Sequence, residues 1–323
     1  MAYKKLICIV TVCLLFCKIS ISNQPKPTTK KGIFCSYNAE KNLLLYKKVD
    51  KPETENAQLW LYDIKKQKDV VICDTIDNLN PTPVFYDSVT ILIPTTDGII
   101  AFNLMSKTKA TVFKTKHTDQ FLDGFYYDPL SHNIITILED FKSSEAFLLI
   151  MNKKGEVLNK MKVPYNFDNA EELSYSRIFI HNNDAIVFNA LNKLFYFNIH
   201  QNKVSFITDL KFAYDYPVFF VSDSAIVYCK KNTLDMLFVN KIGSVSNKVK
   251  IPPPFNKNGN FDFLAYTFQV KDQYVNYIVN KQKTMKIMAN KLVPGNNMVS
   301  IISTPDYSIT QDILNYRIVI LNN

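Results

Sequence analysis

The sequence predicts an all-β protein, a β-propeller, most simply of seven four-stranded blades with an incomplete closing blade; six or eight blades remain open. Three observations carry this. Apolar and polar residues alternate in short runs, and aromatics abound (23 Phe, 18 Tyr among 323 residues) while Gly is scarce at 7. That composition suits pleated, half-buried strands. The runs are broken by Asp, Asn and Ser, the residues of tight turns. The pattern also recurs: strand–turn–strand units begin at residues 33, 84, 124, 177, 218, 266 and 308, about 46 residues apart, within the roughly 40–50-residue range of propeller repeats.

Taken in order, the chain opens with Lys4 and Lys5, an apolar run from Leu6 to Phe16, and "ISIS" ending in small residues. This reads as a secretion signal over residues 1–22, because eleven apolar residues are too few for an ordinary membrane-crossing helix of about 20. An uncleaved anchor is the alternative. A lipoprotein through Cys17 is unfavoured, since Phe16 stands where a small residue belongs. The protein is therefore expected to be secreted or periplasmic, with no transmembrane span after signal removal. Residues 23–31 read as a polar leader, and 32–323 as one propeller domain.

The repeats follow. Hairpins are read at "GIFCSYNAEKNLLLYKK" (32–48), "PVFYDSVTILIPT" (83–95), "GFYYDPLSHNIITIL" (124–138) and "RIFIHNNDAIVFN" (177–189). They continue at "VFFVSDSAIVYC" (218–229), "YTFQVKDQYVNYIV" (266–279) and "SITQDILNYRIVIL" (308–321). Six copies are followed by a third strand ending in a polar turn, such as "AQLWLYDIKKQK" (57–68), and then by a fourth short strand such as "VVICD". Four antiparallel strands make a propeller blade, which cannot bury both faces without neighbours. The last copy stops after its second strand. Either residues 23–31 complete a thin seventh blade or six blades close the ring, and Pro25 and Pro27 make the leader a poor strand. A different all-β array, such as a stacked sandwich, is the competing architecture.

"NLLLYKKVDKPETENAQLWLYDIKKQKDVVI" (42–72) and "YYDPLSHNIITIL" resemble repeats of the TolB-like and YncE-like bacterial propellers. In those repeats an apolar strand ends in Asp and a Lys- or Gly-containing turn. The resemblance covers nearly all the chain after residue 32. It implies the fold and not an activity. The S-P-D-G turn, WD dipeptides, kelch double glycines and Asp boxes are absent from the sequence.

Charge and cysteine content narrow the function. The formal net charge is +9, but the lysines are scattered and mostly fall in turns ("KKQK", "KTK", "NKK"), which is not a nucleic-acid footprint. Arg177 and Arg317 are the only arginines, too few for a sialidase-like carboxylate clamp. Trp60 stands alone, which excludes quinone-cofactor propellers built on repeated tryptophans. Cys35, Cys73 and Cys229 remain after signal removal, an odd number in apolar strand contexts, and read as small buried hydrophobes. No cofactor is expected, and a monomer is.

Candidate site residues come from the connections between the fourth strand of one repeat and the first of the next, which would meet at one mouth of the ring. These bring Asp123, Asp168, Asp215 and Asp262 together with Tyr165, Tyr214 and Tyr307 as a speculative ligand-binding rim. Phe121 and Phe255 are among further aromatics expected to be exposed there. Carboxylates and aromatics at a mouth suit a protein, peptide or glycan ligand; the plainer reading is that Asp serves turns and aromatics pack between blades. An enzyme would need a nucleophile, and no GxSxG, HExxH or P-loop occurs. His117, beside Asp119 and Asp123, is the one histidine on this side. The alternative function is a metal-dependent hydrolase or lactonase using the carboxylates at the mouth.

Overall fold

The computed structural model describes residues 27–323 apart from 50–55, 78–81, 167–176, 182–183, 190–192, 210–217, 223–224, 231–234, 241, 258–259, 271–272 and 289. After β1 (Thr28–Lys31), the first sheet comprises β2 (Ile33–Asn38), β3 (Leu43–Lys48), β4 (Asn56–Asp63) and β5 (Lys68–Asp77). The second holds β6 (Val84–Phe85), β7 (Thr90–Thr95), β8 (Gly98–Asn103) and β9 (Lys109–Lys114). The third is β10 (Gln120–Asp128), β11 (Asn133–Asp140), β12 (Glu145–Met151) and β13 (Val157–Asn166). The fourth is β14 (Arg177–His181), β15 (Asp184–Asn189), β16 (Lys193–Asn198) and β17 (Lys203–Asp209).

The fifth sheet is β18 (Val218–Ser222), β19 (Ala225–Lys230), β20 (Asp235–Val239) and β21 (Val245–Lys250). A two-stranded hairpin, β22 (Asn256–Lys257) and β23 (Asn260–Phe261), precedes the sixth sheet. That sheet is β24 (Leu264–Val270), β25 (Gln273–Val279), β26 (Thr284–Met288) and β27 (Lys291–Pro294). The chain ends with β28 (Met298–Ser303), β29 (Tyr307–Asp312) and β30 (Arg317–Asn322). Paired strands are antiparallel and, apart from β1 with β30, neighbours in sequence. The described residues contain no helix, and so none long and apolar enough to cross a membrane.

Turn chemistry sets this repeat. An Asx side chain ends a strand and accepts the amides of the turn that follows. Asn103 Oδ1 accepts from Met105 (2.9 Å) and Ser106 (3.0 Å), and Asn240 Oδ1 from Ile242 (3.1 Å) and Ser244 (3.0 Å). Asp87, Asp128, Asp140, Asn280 and Asp312 do the same in other turns. Several turns close on a left-handed residue before the next strand, such as Asn42 (φ 55°), His132 (φ 57°) and Tyr316 (φ 50°). With only 7 glycines, other residues take on this conformation, and the Asx bonds offset part of its cost.

Packing joins the sheets into a ring. First strands of successive sheets lie against one another, as β2 with β6, β10 with β14 and β24 with β28. The middle strands β3, β7, β11 and β20 are mostly apolar and buried on both sides, as befits strands covered on two faces, with Lys47, Thr136, Glu139 and Asp235 buried among them. Cores form between sheets rather than within them. Leu45, Leu59 and Ile72 of the first sheet pack with Ile91 and Ile93 of the second. Ile137, Leu148 and Ile150 of the third pack with Phe195 and Phe197 of the fourth. Gly155 (φ +78°) and Gly243 (φ +81°) occupy equivalent turns, where an added Cβ would strike the neighbouring sheet's Val112 or Ile207 carbonyl oxygen.

The ring closes by one of the two routes the sequence left open, although Pro25 and Pro27 made the leader a poor strand candidate. β1 pairs with β30, Thr28 opposite Ile320 and Lys31 opposite Arg317, so the seventh sheet has the order β28-β29-β30-β1. The blade left incomplete at the C-terminus is thus completed by residues 28–31 of the stretch expected to be a polar leader. Pro25 and Pro27 precede this four-residue edge strand and do not interrupt it. The hairpin at 308–321 supplies the second and third strands, because "MVSIIS" of β28 is the first.

Side chains lock the seam. Gln311 is buried, its Oε1 accepting from Phe34 N (2.9 Å) and its Nε2 donating to the carbonyls of Gly32 (3.1 Å) and Arg317 (3.1 Å). Lys30 of β1 pairs with Asp69 of β5 (2.6 Å) and lies 3.9 Å from the centre of the Tyr62 ring. Tyr307 donates to Asn42 Oδ1 (2.6 Å) and is hydrogen-bonded to Tyr37.

Two outcomes follow from this packing. Gln311→Ala strands the Phe34 amide and the Gly32 carbonyl at the seam, and is expected to cost about 2–3 kcal/mol, read as a lower urea midpoint; an unchanged midpoint would show that Gln311 does not bear on closure. Burial also pushes the Cys35 thiol and, together with neighbouring Tyr86 and Asp87, the Tyr127 phenol up to about 12, from ordinary values of 9.0 and 10.0. Burial raises Tyr46, beside Asp69, and Tyr307, beside Tyr37, in the same direction. Each group holds a proton in the fold that the unfolded chain releases, so its stabilisation is complete below about pH 9 and is lost as the pH rises through 12. The urea midpoint should fall steadily over that window, and a flat or rising profile would contradict the assignment.

Candidate ligand-binding face

Strand direction sorts the loops onto two faces. Each first strand runs away from the connection that enters it, so fourth-to-first connections and second-to-third turns share one face. First-to-second and third-to-fourth turns share the other. The first of these faces carries the predicted rim and is organised best around the third sheet.

There the connection 115–119 is stitched to both neighbours. Thr115 N donates to Asp97 O (2.9 Å), Leu122 N to Thr96 O (2.7 Å), and Phe141 N to Asp119 O (2.9 Å). Gln120 Nε2 donates to Asp140 Oδ2 (2.7 Å), and this bond holds the Asp140 carboxyl below the usual range. The Ser143 and Lys142 amides add to the effect against a partial desolvation. On this base Phe121, 38% exposed, meets half-buried Phe141 edge-to-face with centroids 5.0 Å apart. His117 and Asp119 stand exposed alongside. Asp123 lies in a β-bulge between β10 and β11, its Oδ1 accepting from Gly124 N (2.8 Å), while Thr136 Oγ1 donates to Gly124 O (2.6 Å). A bulge of this kind re-aims a side chain at a sheet end.

The other predicted site residues are placed as follows. Asp262 is exposed in the connection entering the sixth sheet, on the same face as Asp123 but three sheets further along the chain. Its amide donates to Phe255 O (2.9 Å). The backbone of Tyr165 is on β13. Asp168, Tyr214 and Asp215 lie outside the described residues. Tyr307 is not at this mouth: because β28 is the first strand of the closing sheet, residues 304–306 form a first-to-second turn. Tyr307 therefore sits at the opposite face, buried against Tyr37 and Asn42. Phe255 is not exposed either; its amide bonds to Pro252 O (3.0 Å) and its ring is buried with Val227, Phe238 and Ile278.

Among the described residues no three His, Cys, Asp or Glu side chains come close enough to hold a metal ion. Sequence reasoning overlooked the opposite face, where Tyr127 donates to Tyr86 O (3.0 Å) and its hydroxyl meets His132 Nδ1 (2.7 Å). The signal was present as a repeated Tyr-Asx pair ending first strands: Tyr37-Asn38, Tyr86-Asp87 and Tyr127-Asp128. Cys35 and Cys73 are free thiols packed against the core between the first two sheets.

No protein-family model matches the sequence, and no curated protein matches it. Solved structures do match. A catalytically inactive virginiamycin B lyase from Staphylococcus aureus with quinupristin is 10% identical over 92% of this chain and 100% of its own, with a TM-score of 0.56. A streptogramin B lyase is 10% identical over 92% of this chain and 97% of its own, with a TM-score of 0.54. BamB from Moraxella catarrhalis is 10% identical over 90% and 84%, with a TM-score of 0.50. At such identities the likeness is one of fold alone: the chain is a β-propeller.

Proposed function

We propose that this protein is an exported, non-enzymatic propeller that binds a protein, peptide or glycan through the face of fourth-to-first connections. The observation that carries the reading is the pair of exposed Phe121 on β10 and half-buried Phe141 after β11, next to the connection 115–119 that is hydrogen-bonded to two sheets and carries His117 and Asp119, with Asp123 two residues after Phe121. Aromatic edges and faces stack on sugar rings or apolar side chains, while carboxylates accept hydroxyl or ammonium protons. A loop pinned to a rigid scaffold loses little freedom when it binds. Export rests on the basic start and the apolar run Leu6–Phe16. The TolB-like and YncE-like pattern of the repeats agrees with a scaffold role and adds no activity.

The fold is also that of lyases, so the hydrolase or lactonase reading is tested beside the binding one. Arrays of peptides and glycans are probed with the purified protein, then with Phe121→Ala and Phe141→Ala. Loss of an aromatic anchor is expected to weaken every captured ligand by about tenfold or more. Ligands that bind both variants as well as the parent would move the site elsewhere. Calorimetric titration with calcium and zinc is expected to give no stoichiometric heat. Stoichiometric binding abolished by Asp262→Ala would instead favour a metal at the mouth and a hydrolytic function.

A further inference from the structure

The opposite face, built from first-to-second and third-to-fourth turns, has a different chemistry. The three most exposed large apolar side chains among the described residues are all at its turn tips: Met105 (80%), Leu130 (89%) and Ile242 (80%). Each stands two residues after the Asx that caps its turn, Met105 and Ile242 in third-to-fourth turns and Leu130 in a first-to-second turn. Each donates its amide to that side chain, to Asn103, Asp128 and Asn240 respectively. The same position carries exposed Lys65 after Asp63 and Lys154 after Asn152. Isolated exposed hydrophobes are ordinary on any surface. The apolar tips project from the second, third and fifth sheets, so they are spread across the face instead of lining one cleft; elsewhere on it the same position carries Glu40 after Asn38, His200 after Asn198 and half-buried Val89 after Asp87.

Charge on this face follows the same arrangement. Exposed Lys65, Lys66, Lys107, Lys153 and Lys154 fill the third-to-fourth turns, and Lys68, Lys109, Lys203 and Lys291 begin the fourth strands beside them. Of the acids on this face, Asp87 and Asp128 turn back to accept turn amides, Asp63 also pairs with Lys66 (3.2 Å), Glu156 accepts from Asn152 Nδ2 (2.6 Å), and Glu40 and Asp306 stand exposed among the more numerous lysines. At the outer edge of the first sheet a cavity of about 230 Å³ has an apolar wall of Leu43, Leu61 and Val70 and a rim that includes Lys66 and Lys68. Thr28 pairs with Ile320, near the end of β30. The described chain therefore enters the ring at this face.

The geometry points to this face as a docking surface for an anionic phospholipid bilayer. The three apolar tips enter the boundary between headgroups and acyl chains, and the surrounding lysines meet lipid phosphates. Apolar insertion and lysine–phosphate attraction supply binding together where neither suffices alone. Tips spread across a face fit a flat partner, and a peptide would need a continuous groove. The inference does not depend on the ligand reading above, which concerns the other face.

Vesicle flotation tests it, using a chain that begins at Asn23 and so keeps every described strand without the apolar run. The probes are phosphatidylcholine vesicles with and without phosphatidylglycerol, at low salt. The protein is expected to float with the anionic vesicles and not with phosphatidylcholine alone. The combined variant Met105→Asp, Leu130→Asp and Ile242→Asp should lower partitioning by about tenfold or more. Lys153→Ala and Lys154→Ala should each lower it by about fivefold. Met298→Asp, which begins β28 at the other face, should leave it unchanged. If the triple variant melts early, Leu130→Asp alone, at a turn tip, carries the test. Absence of flotation with anionic vesicles, or tip variants that float like the parent, would overturn the proposal.

Discussion

Everything in this molecule depends on ring closure. Each sheet buries its apolar faces only against its neighbours, so an open ring would leave two unpaired faces and a free strand edge. The chain meets this by sending β1 across to β30. Phe34 and Gln311, 277 positions apart, are then joined through an amide and a buried carboxamide. Lys30, Asp69 and Tyr46 continue the seam on its outer side. Tyr307, Tyr37 and Asn42 hold it at the turn end. These contacts are polar and directional, which specifies one register between two ends of the chain where apolar packing alone would tolerate slippage.

With the ring closed, the alternation of strand direction separates two chemistries. One face presents the fourth-to-first connections, of which 115–119 is hydrogen-bonded to both neighbouring sheets, and the Phe121–Phe141 pair. The other presents short Asx turns, among them those that carry Met105, Leu130, Ile242, Lys65 and Lys154 outward. Asx turns recur on both faces, at Asp140, Asn280 and Asp312 on the connection side as well, so the two faces differ in the residues that their turns and connections carry. The edges are managed as well: β1, β5, β9, β13, β17, β21 and β27, the fourth strands, all carry lysine, which discourages edge-to-edge pairing with other chains.

Much of this was legible in the sequence. Two-residue periodicity marked the strands, and Asx residues at their ends marked the turns, because both effects act within a few residues. The side-chain oxygens of Asp87 and Asn103 accept from amides two or three residues on. The repeat spacing then implied blades. The candidate rim was read less well. Asp123 and Asp262 do share a face, and Phe121 is exposed as expected. Tyr307 and Phe255 are buried, because aromatic residues in loops look alike whether they face water or a neighbouring sheet.

What the sequence determined by itself is therefore local: strand and turn identity, and from their recurrence the propeller class. What only the tertiary structure decided is the phase of the last blade, the use of residues 28–31 as its outer strand, and with these the face on which Tyr307 lies. The physical reason is that closure is a contact between chain ends, set by hydrogen-bond register and burial across the seam. Four residues reading "TTKK" carry no periodic signal that distinguishes an edge strand from a solvated leader. Only their pairing with β30 does.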